Sequence, residues 1–190
     1  MALPALDPVL GHAVAGALAL VLAVGAWSKF ADLEAFAFAV DRYRLLPSPA
    51  ARAVGLLLPF AEALAAGLLV VPTTRLPGAL LAAALVACVT GAVVVNLLRG
   101  RTDIDCGCGG PGHRQTLSWR LPARNAVLLA ACALAAAPAA SRALVWLDAF
   151  TATFAAAALW FVYAAVEELL SDAQRFSPHA NRLPSPGTRR

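Results

Sequence analysis

Charge is scarce in this chain. Asp, Glu, Lys and Arg make up 14% of its 190 residues, against roughly 25% in a soluble domain. Lysine occurs once, at Lys29, and aromatic residues supply 7%. What fills the space is apolar: 61% of the residues, against roughly 45–50% in soluble proteins. Too little polar surface remains to cover a water-soluble globule, so the apolar excess must face lipid. The N-terminus has no Lys/Arg-rich stretch of the kind that opens a secretory signal, and its first apolar run is too long for a signal core. It reads as a retained helix. The net charge is +4, but no basic helix face or aromatic ladder accompanies it, which excludes nucleic acid as a partner. The arginines read instead as loop residues that set topology and touch anionic lipid headgroups.

A helical span consumes about 20 residues, so four or five spans use nearly the whole length. The sequence predicts an all-α polytopic membrane bundle over 1–170, a four-helix core plus a fifth C-terminal helix. The expected spans are 9–30, 53–71, 79–98, 124–140 and 147–170, followed by a disordered polar tail over 171–190. Trp27 and Lys29 close the first span as an interfacial aromatic and a snorkelling cation. The stretch 31–52 is mixed, with Leu33, Phe36, Phe38 and Val40 on an apolar side, and reads as an interfacial helix stopped by Pro47 and Pro49. The fourth span is the weakest. It reaches bilayer length only if Arg124 snorkels and the helix continues past Pro138.

Counting Arg and Lys by side gives 13 on the face of the loops after spans one and three and the C-terminus, and 2, Arg75 and Arg142, on the other. The positive-inside rule then places the loop after span three in the cytoplasm of a bacterial inner membrane.

That loop holds the sharpest motif, Asp105-Cys106-Gly107-Cys108-Gly109-Gly110-Pro111-Gly112. A disulfide between residues i and i+2 requires a bent backbone, which Gly107 permits, and the small ring is strained. Strained disulfides exchange readily. Arg99, Arg101 and Arg114 favour a thiolate, and Asp103 and Asp105 oppose it. Cys106 and Cys108 are thus a candidate redox pair. Two other readings stand beside it. Cys106, Cys108 and His113, with Asp103 or Asp105, make a metal-ligand set, but zinc sites usually space cysteines by two to four residues. The third reading is a glycine turn with two incidental thiols.

Cys88 and Cys132 fall near mid-helix in spans three and four. They read as small apolar side chains, or as a second redox pair if those spans touch there. Glu62, at the midpoint of span two, is expensive in a bilayer and must face the bundle and find a partner. Lys29 is one candidate, about a turn or two away in depth, and Asn96 and Asn125 are others. Glu62 then serves either as a proton-accepting or cofactor-contacting carboxylate, or as a polar clamp between helices.

Several segments together resemble a known family. They are Ser28-Lys29-Phe30, Phe38, Tyr43-Arg44-Leu45-Leu46-Pro47, Pro59 with Glu62 and Gly67-Leu68-Leu69, then Asn96-Leu97-Leu98-Arg99-Gly100-Arg101 leading into Asp105-Cys106-Gly107-Cys108-Gly109, and Arg124-Asn125. The chain resembles the MauE family of methylamine-utilisation proteins, within the wider DoxX-like membrane proteins. The resemblance implies a membrane accessory factor for processing or maturation of methylamine dehydrogenase or another exported enzyme, working with a thioredoxin-like partner. The dehydrogenase small subunit carries many disulfides and a tryptophan-derived quinone. Cys106 and Cys108 would exchange disulfides, while Lys29 and Glu62 organise the bundle interior. Disulfide maturation occurs outside the cytoplasm, whereas the charge count puts the cysteine loop inside. Either electrons cross the membrane, or the charge rule fails here, or the thiols have no part in the client's disulfides. The rival readings are a small-solute transporter with Glu62 in its path, and a membrane thiol oxidoreductase with quinone as cofactor.

Overall fold

The structure, a computed structural model, describes residues 6–102, 117–138, 140 and 142–176, with side chains to residue 169. Cys106, Cys108, His113 and the tail beyond Phe176 lie outside the described residues.

Among the described residues, six α-helices follow one another: α1 Pro8–Phe30, α2 Leu33–Arg42, α3 Ser48–Val70, α4 Arg75–Leu98, α5 Arg120–Ala136 and α6 Trp146–Phe176. Their ends follow local chemistry. Asp7 caps α1 by accepting from the Val9 N–H at 2.8 Å, with Pro8 in the first turn, where its missing donor costs nothing. Asp32 caps α2 by accepting from the Ala35 N–H at 3.0 Å. α2 ends at Arg42, just before Arg44, whose φ of 49° breaks the helical path. Pro49 sits inside the first turn of α3 rather than before it, so that helix begins at Ser48, earlier than the hydropathy alone indicates. A single 3-10 turn, Pro72–Thr74, reverses the chain, and the Thr74 hydroxyl donates to the Leu68 carbonyl at 2.9 Å near the end of α3. Gly100, at φ 71°, ends α4 as only glycine does without strain.

The buried face is made of small side chains. Ala15, Ala19, Ala65, Ala66, Ala79, Ala82 and Ala135 pack with Leu18, Leu69 and Cys132. α1 lies against α3 and α5, and α3 lies against α2 and α4. Such residues let backbones approach, which is how helices associate where lipid is as apolar as leucine. The closest approaches fall at Gly55, where a Cβ would lie 2.6 Å from Ala37 Cα, and at Gly78, where it would lie 2.8 Å from the Leu69 backbone nitrogen.

The burial pattern is inverted relative to a soluble protein. Leu57, Phe60, Leu64, Leu80 and Val127 are exposed, whereas Lys29, Glu62, Asn96 and Asn125 are buried. Among the described residues, four helical segments are long and apolar enough to cross a bilayer: Pro8–Phe30, Ser48–Val70, Pro72–Leu98 and Trp146–Leu169. The protein is therefore an all-α membrane helix bundle. α5 is shorter, with 17 residues, which is about 25 Å of helix against about 30 Å of hydrocarbon. It begins at Arg120 and stops at Ala136, before Pro138. α5 nevertheless runs from one end of the bundle to the other. Leu121 packs with Tyr43 and Leu97, while the Pro138 carbonyl accepts from the Leu6 N–H at 3.1 Å.

The chain divides into two units, residues 1–160 and 161–190. The described part of the second is the last stretch of α6, which stays helical through Ser171 to Phe176, within the stretch expected as tail.

Candidate functional site

The structure brings Lys29 and Glu62 together. Lys29 Nζ lies 2.7 Å from Glu62 Oε2 and 3.0 Å from Oε1, and also donates to the Gly25 carbonyl at 3.1 Å. The three donors of the ammonium thus meet three oxygens. The depth gap closes because side chains on a helix lean toward its N-terminus. α1 and α3 are joined through a chain reversal, so the lysine leans inward from the end of α1 while the glutamate leans back toward it from mid α3. Gly25 adjoins the pair, with space for a Cβ in ordinary contact. A Cβ there would be 3.5 Å from Nζ and 3.8 Å from Oε2. Phe36 of α2 completes the enclosure, its ring centroid 5.5 Å from Nζ. Lys29 is 8% exposed and Glu62 9%. At that burial a lone charge is costly, and the pair stands only because each neutralises the other.

Asn96 and Asn125 do not serve Glu62. Asn96 Nδ2 donates to the Ala92 carbonyl at 3.0 Å, and its Oδ1 accepts from Arg101 at 3.1 Å. Asn125 Nδ2 donates to Thr90 Oγ1 at 2.8 Å, bridging α5 to α4, while Arg124 donates to its Oδ1. Thr90 in turn donates to the Val86 carbonyl at 2.6 Å. The sequence marks Thr90 and Arg101 only weakly, since a threonine in an apolar run and a loop arginine have many bland uses.

The second redox pair is not formed. Cys88 and Cys132 are both free thiols, one exposed and one buried. Cys132 packs at the level of Ala79 and Ala82 in the core, whereas the Thr90–Asn125 bond places Cys88 at the other half of the α4–α5 contact. Among the described residues, no group of His, Cys, Asp and Glu is arranged to hold a metal.

At the opposite end of the bundle, Arg142 donates to Asp148 at 2.8 and 3.0 Å and to Asp7 at 3.3 Å. The Val9 N–H, followed by Arg142, holds the Asp7 carboxyl below its ordinary value. A cavity of about 810 Å³ lies between α1, α3 and the first half of α6, lined by Gly16, Ala23, Trp27, Ala66 and Ala152, with His12, Asp148 and Thr153 among its polar members.

These features define a class: a small polytopic membrane bundle, packed through alanine and glycine, with one buried ion pair between its first and third helices. Residues 7–138 match the family described as Methylamine utilisation protein MauE, and the chain belongs to that family. The methylamine utilization protein MauE of Paracoccus denitrificans is 46% identical over 113 residues, which is 60% of this chain and 61% of that protein. Its counterpart in Paracoccus versutus is 42% identical over 131 residues, covering 69% and 70% of the two chains. That of Methylorubrum extorquens is 41% identical over 130 residues, covering 68% and 70%. The matched part thus spans under two thirds of the first relative's length. No solved structure matches the chain. Cys106 and Cys108 fall inside the family match.

Proposed function

We propose that this protein is an integral membrane accessory factor for methylamine utilisation, acting through thiol–disulfide exchange in the maturation of methylamine dehydrogenase or another exported enzyme. The observation that carries the reading is the family match, which spans both the Lys29–Glu62 pair and the Cys106-Gly107-Cys108 segment. The relatives' names supply methylamine utilisation, and the chemistry of closely spaced thiols supplies the exchange. Cys106 and Cys108 carry the exchange, and Lys29 with Glu62 hold α1 against α3. A thioredoxin-like protein is the partner that such a pair would serve. The excess of 13 basic residues to 2 favours a cytoplasmic cysteine loop, so oxidising equivalents for an exported client would have to cross the bilayer.

The ion pair weighs against the transporter reading. Every donor of Lys29 Nζ is engaged by Glu62 or Gly25, and both oxygens of Glu62 accept from it, so the carboxylate already has a cation as its partner.

The test is complementation of a deletion strain with a Cys106→Ser/Cys108→Ser double variant. Disulfide content of the exported dehydrogenase small subunit and uptake of labelled methylamine are read side by side. Loss of small-subunit disulfides with normal uptake is expected. Normal disulfides in the double variant would sink the thiol reading, and lost uptake with normal disulfides would favour transport.

A further inference from the structure

The cavity between α1, α3 and the first half of α6 begins between two fastenings. At one, Arg142 binds Asp148 near the start of α6 and Asp7 just before α1. At the other, Gly16 of α1 faces α6, where an added Cβ would lie 2.9 Å from Ala156 Cβ. His12 lies between these points on α1, as Ala152 does on α6, and both line the cavity. From His12 the cavity follows α1 past Ala23 to Trp27, about 22 Å along the helix axis. Its volume of about 810 Å³ falls within the roughly 300–1,000 Å³ of ligand pockets.

Two of the polar groups at the His12 end are already engaged. Both Asp148 oxygens accept from Arg142, and Oδ2 accepts also from the Val145 N–H at 2.9 Å. The Thr153 hydroxyl donates to the Ala149 carbonyl of its own helix at 2.8 Å. His12 differs, because among the described residues nothing hydrogen bonds to its ring. Arg75 is a second unmet group beside it. From the start of α4 the half-buried Arg75 reaches over the first turns of α1, its Nη1 3.0 Å from where a Gly11 Cβ would stand, and its charge acts on His12. Among the described residues it has no carboxylate partner, since Asp7 and Asp148 are both held by Arg142. An imidazole and a guanidinium with unmet donors, at one end of a long apolar cavity, match an anionic head on an apolar chain.

We propose that the cavity is a phospholipid site, in which one acyl chain lies along α1 and the phosphate accepts hydrogen bonds from His12 and Arg75. The chain alone gains little, because the surrounding lipid is as apolar as the cavity wall. Selectivity therefore resides in the phosphate.

Native mass spectrometry of the detergent-purified full-length protein, titrated with dioleoylphosphatidylglycerol and with dioleoylglycerol, tests this. The two lipids share both chains, and only the first has a phosphate. One phosphatidylglycerol per chain is expected, bound about tenfold more tightly than the diacylglycerol. Arg75→Gln and His12→Ala should each weaken it about tenfold by removing a donor to the phosphate. Ala23→Phe fills the cavity from α1 and should weaken it as much. Arg120→Gln removes an exposed arginine elsewhere, at the start of α5, and is expected to stay within about twofold of the parent. Equal affinity for the two lipids overturns the proposal, as does an equal effect of Arg120→Gln and Arg75→Gln. Parent affinity in Ala23→Phe places the lipid elsewhere and overturns it too. Displacement of the lipid by glycerol phosphate at equal concentration marks a soluble phosphate site, and a dimer mass that excludes lipid marks a second copy on this face. Either result is against the proposal. If Arg75→Gln does not accumulate, His12→Ala and Ala23→Phe decide, and parent affinity in either overturns it.

Discussion

Lys29 and Glu62 lie 33 positions apart in sequence and meet at 2.7 Å inside the bundle. Their contact joins α1 to α3 and sits under α2 through Phe36. One buried pair thus ties three of the helices together.

Breaking that pair from one side should cost far more than removing it whole. Lys29→Met or Glu62→Leu alone leaves an uncompensated buried charge, with an expected loss of about 3–5 kcal/mol. The Lys29→Met/Glu62→Leu double variant should recover most of it. Thermal unfolding of the detergent-purified variants measures this. Simple addition of the two single losses would show that the two charges are not coupled.

Glycine substitutions should separate by position. Gly55→Ala drives a Cβ to 2.6 Å from Ala37 Cα, and neither backbone can yield cheaply. An overpacking loss of about 1–3 kcal/mol is expected, with α2 shifted off α3. Gly67→Ala and Gly91→Ala meet nothing within 4 Å, and each should gain about 0.5–1 kcal/mol from helix propensity. The same melting assay compares all three, and a Gly55→Ala protein as stable as Gly67→Ala would contradict the packing described.

The Asp7 end should respond to acid. Its carboxyl is held below the ordinary value by the Val9 N–H and by Arg142, which Asp148 also faces. A depressed folded value means that the contribution is complete above the unfolded value of about 4. It is lost as the pH falls through the folded value. Hydrogen exchange at the start of α1, relative to an Asp7→Asn variant, should therefore speed up only in that acid range. Identical pH profiles for the two proteins would show that the Asp7 charge contributes nothing, since asparagine caps a helix as well.

Much of this was legible in the sequence. The apolar excess and the run lengths give an all-α membrane bundle, and the isolation of Glu62 in an apolar run demands a partner that only a few residues offer. Lys29 is readable as that partner once both side chains are allowed to lean toward their own N-termini. Other features are set by tertiary geometry. Pro49 looks like a boundary but is a first-turn residue of α3. Asn96 and Asn125 look like partners for Glu62, yet each is claimed by a nearer donor or acceptor. Arg101 reads as a loop charge, and its clamp on Arg42 and Tyr43 depends on a helix nearly sixty positions away.

The account turns on whether Cys106 and Cys108 cycle between thiol and disulfide. Alkylating the thiols in intact growing cells, then reducing and alkylating again with a heavier reagent, reads this directly in a protein lacking Cys88 and Cys132. The account predicts that a fraction of the pair takes the heavy reagent only after reduction, and that this fraction changes when the exported client enzyme is expressed. Complete first-round labelling, unchanged by the client, would contradict it.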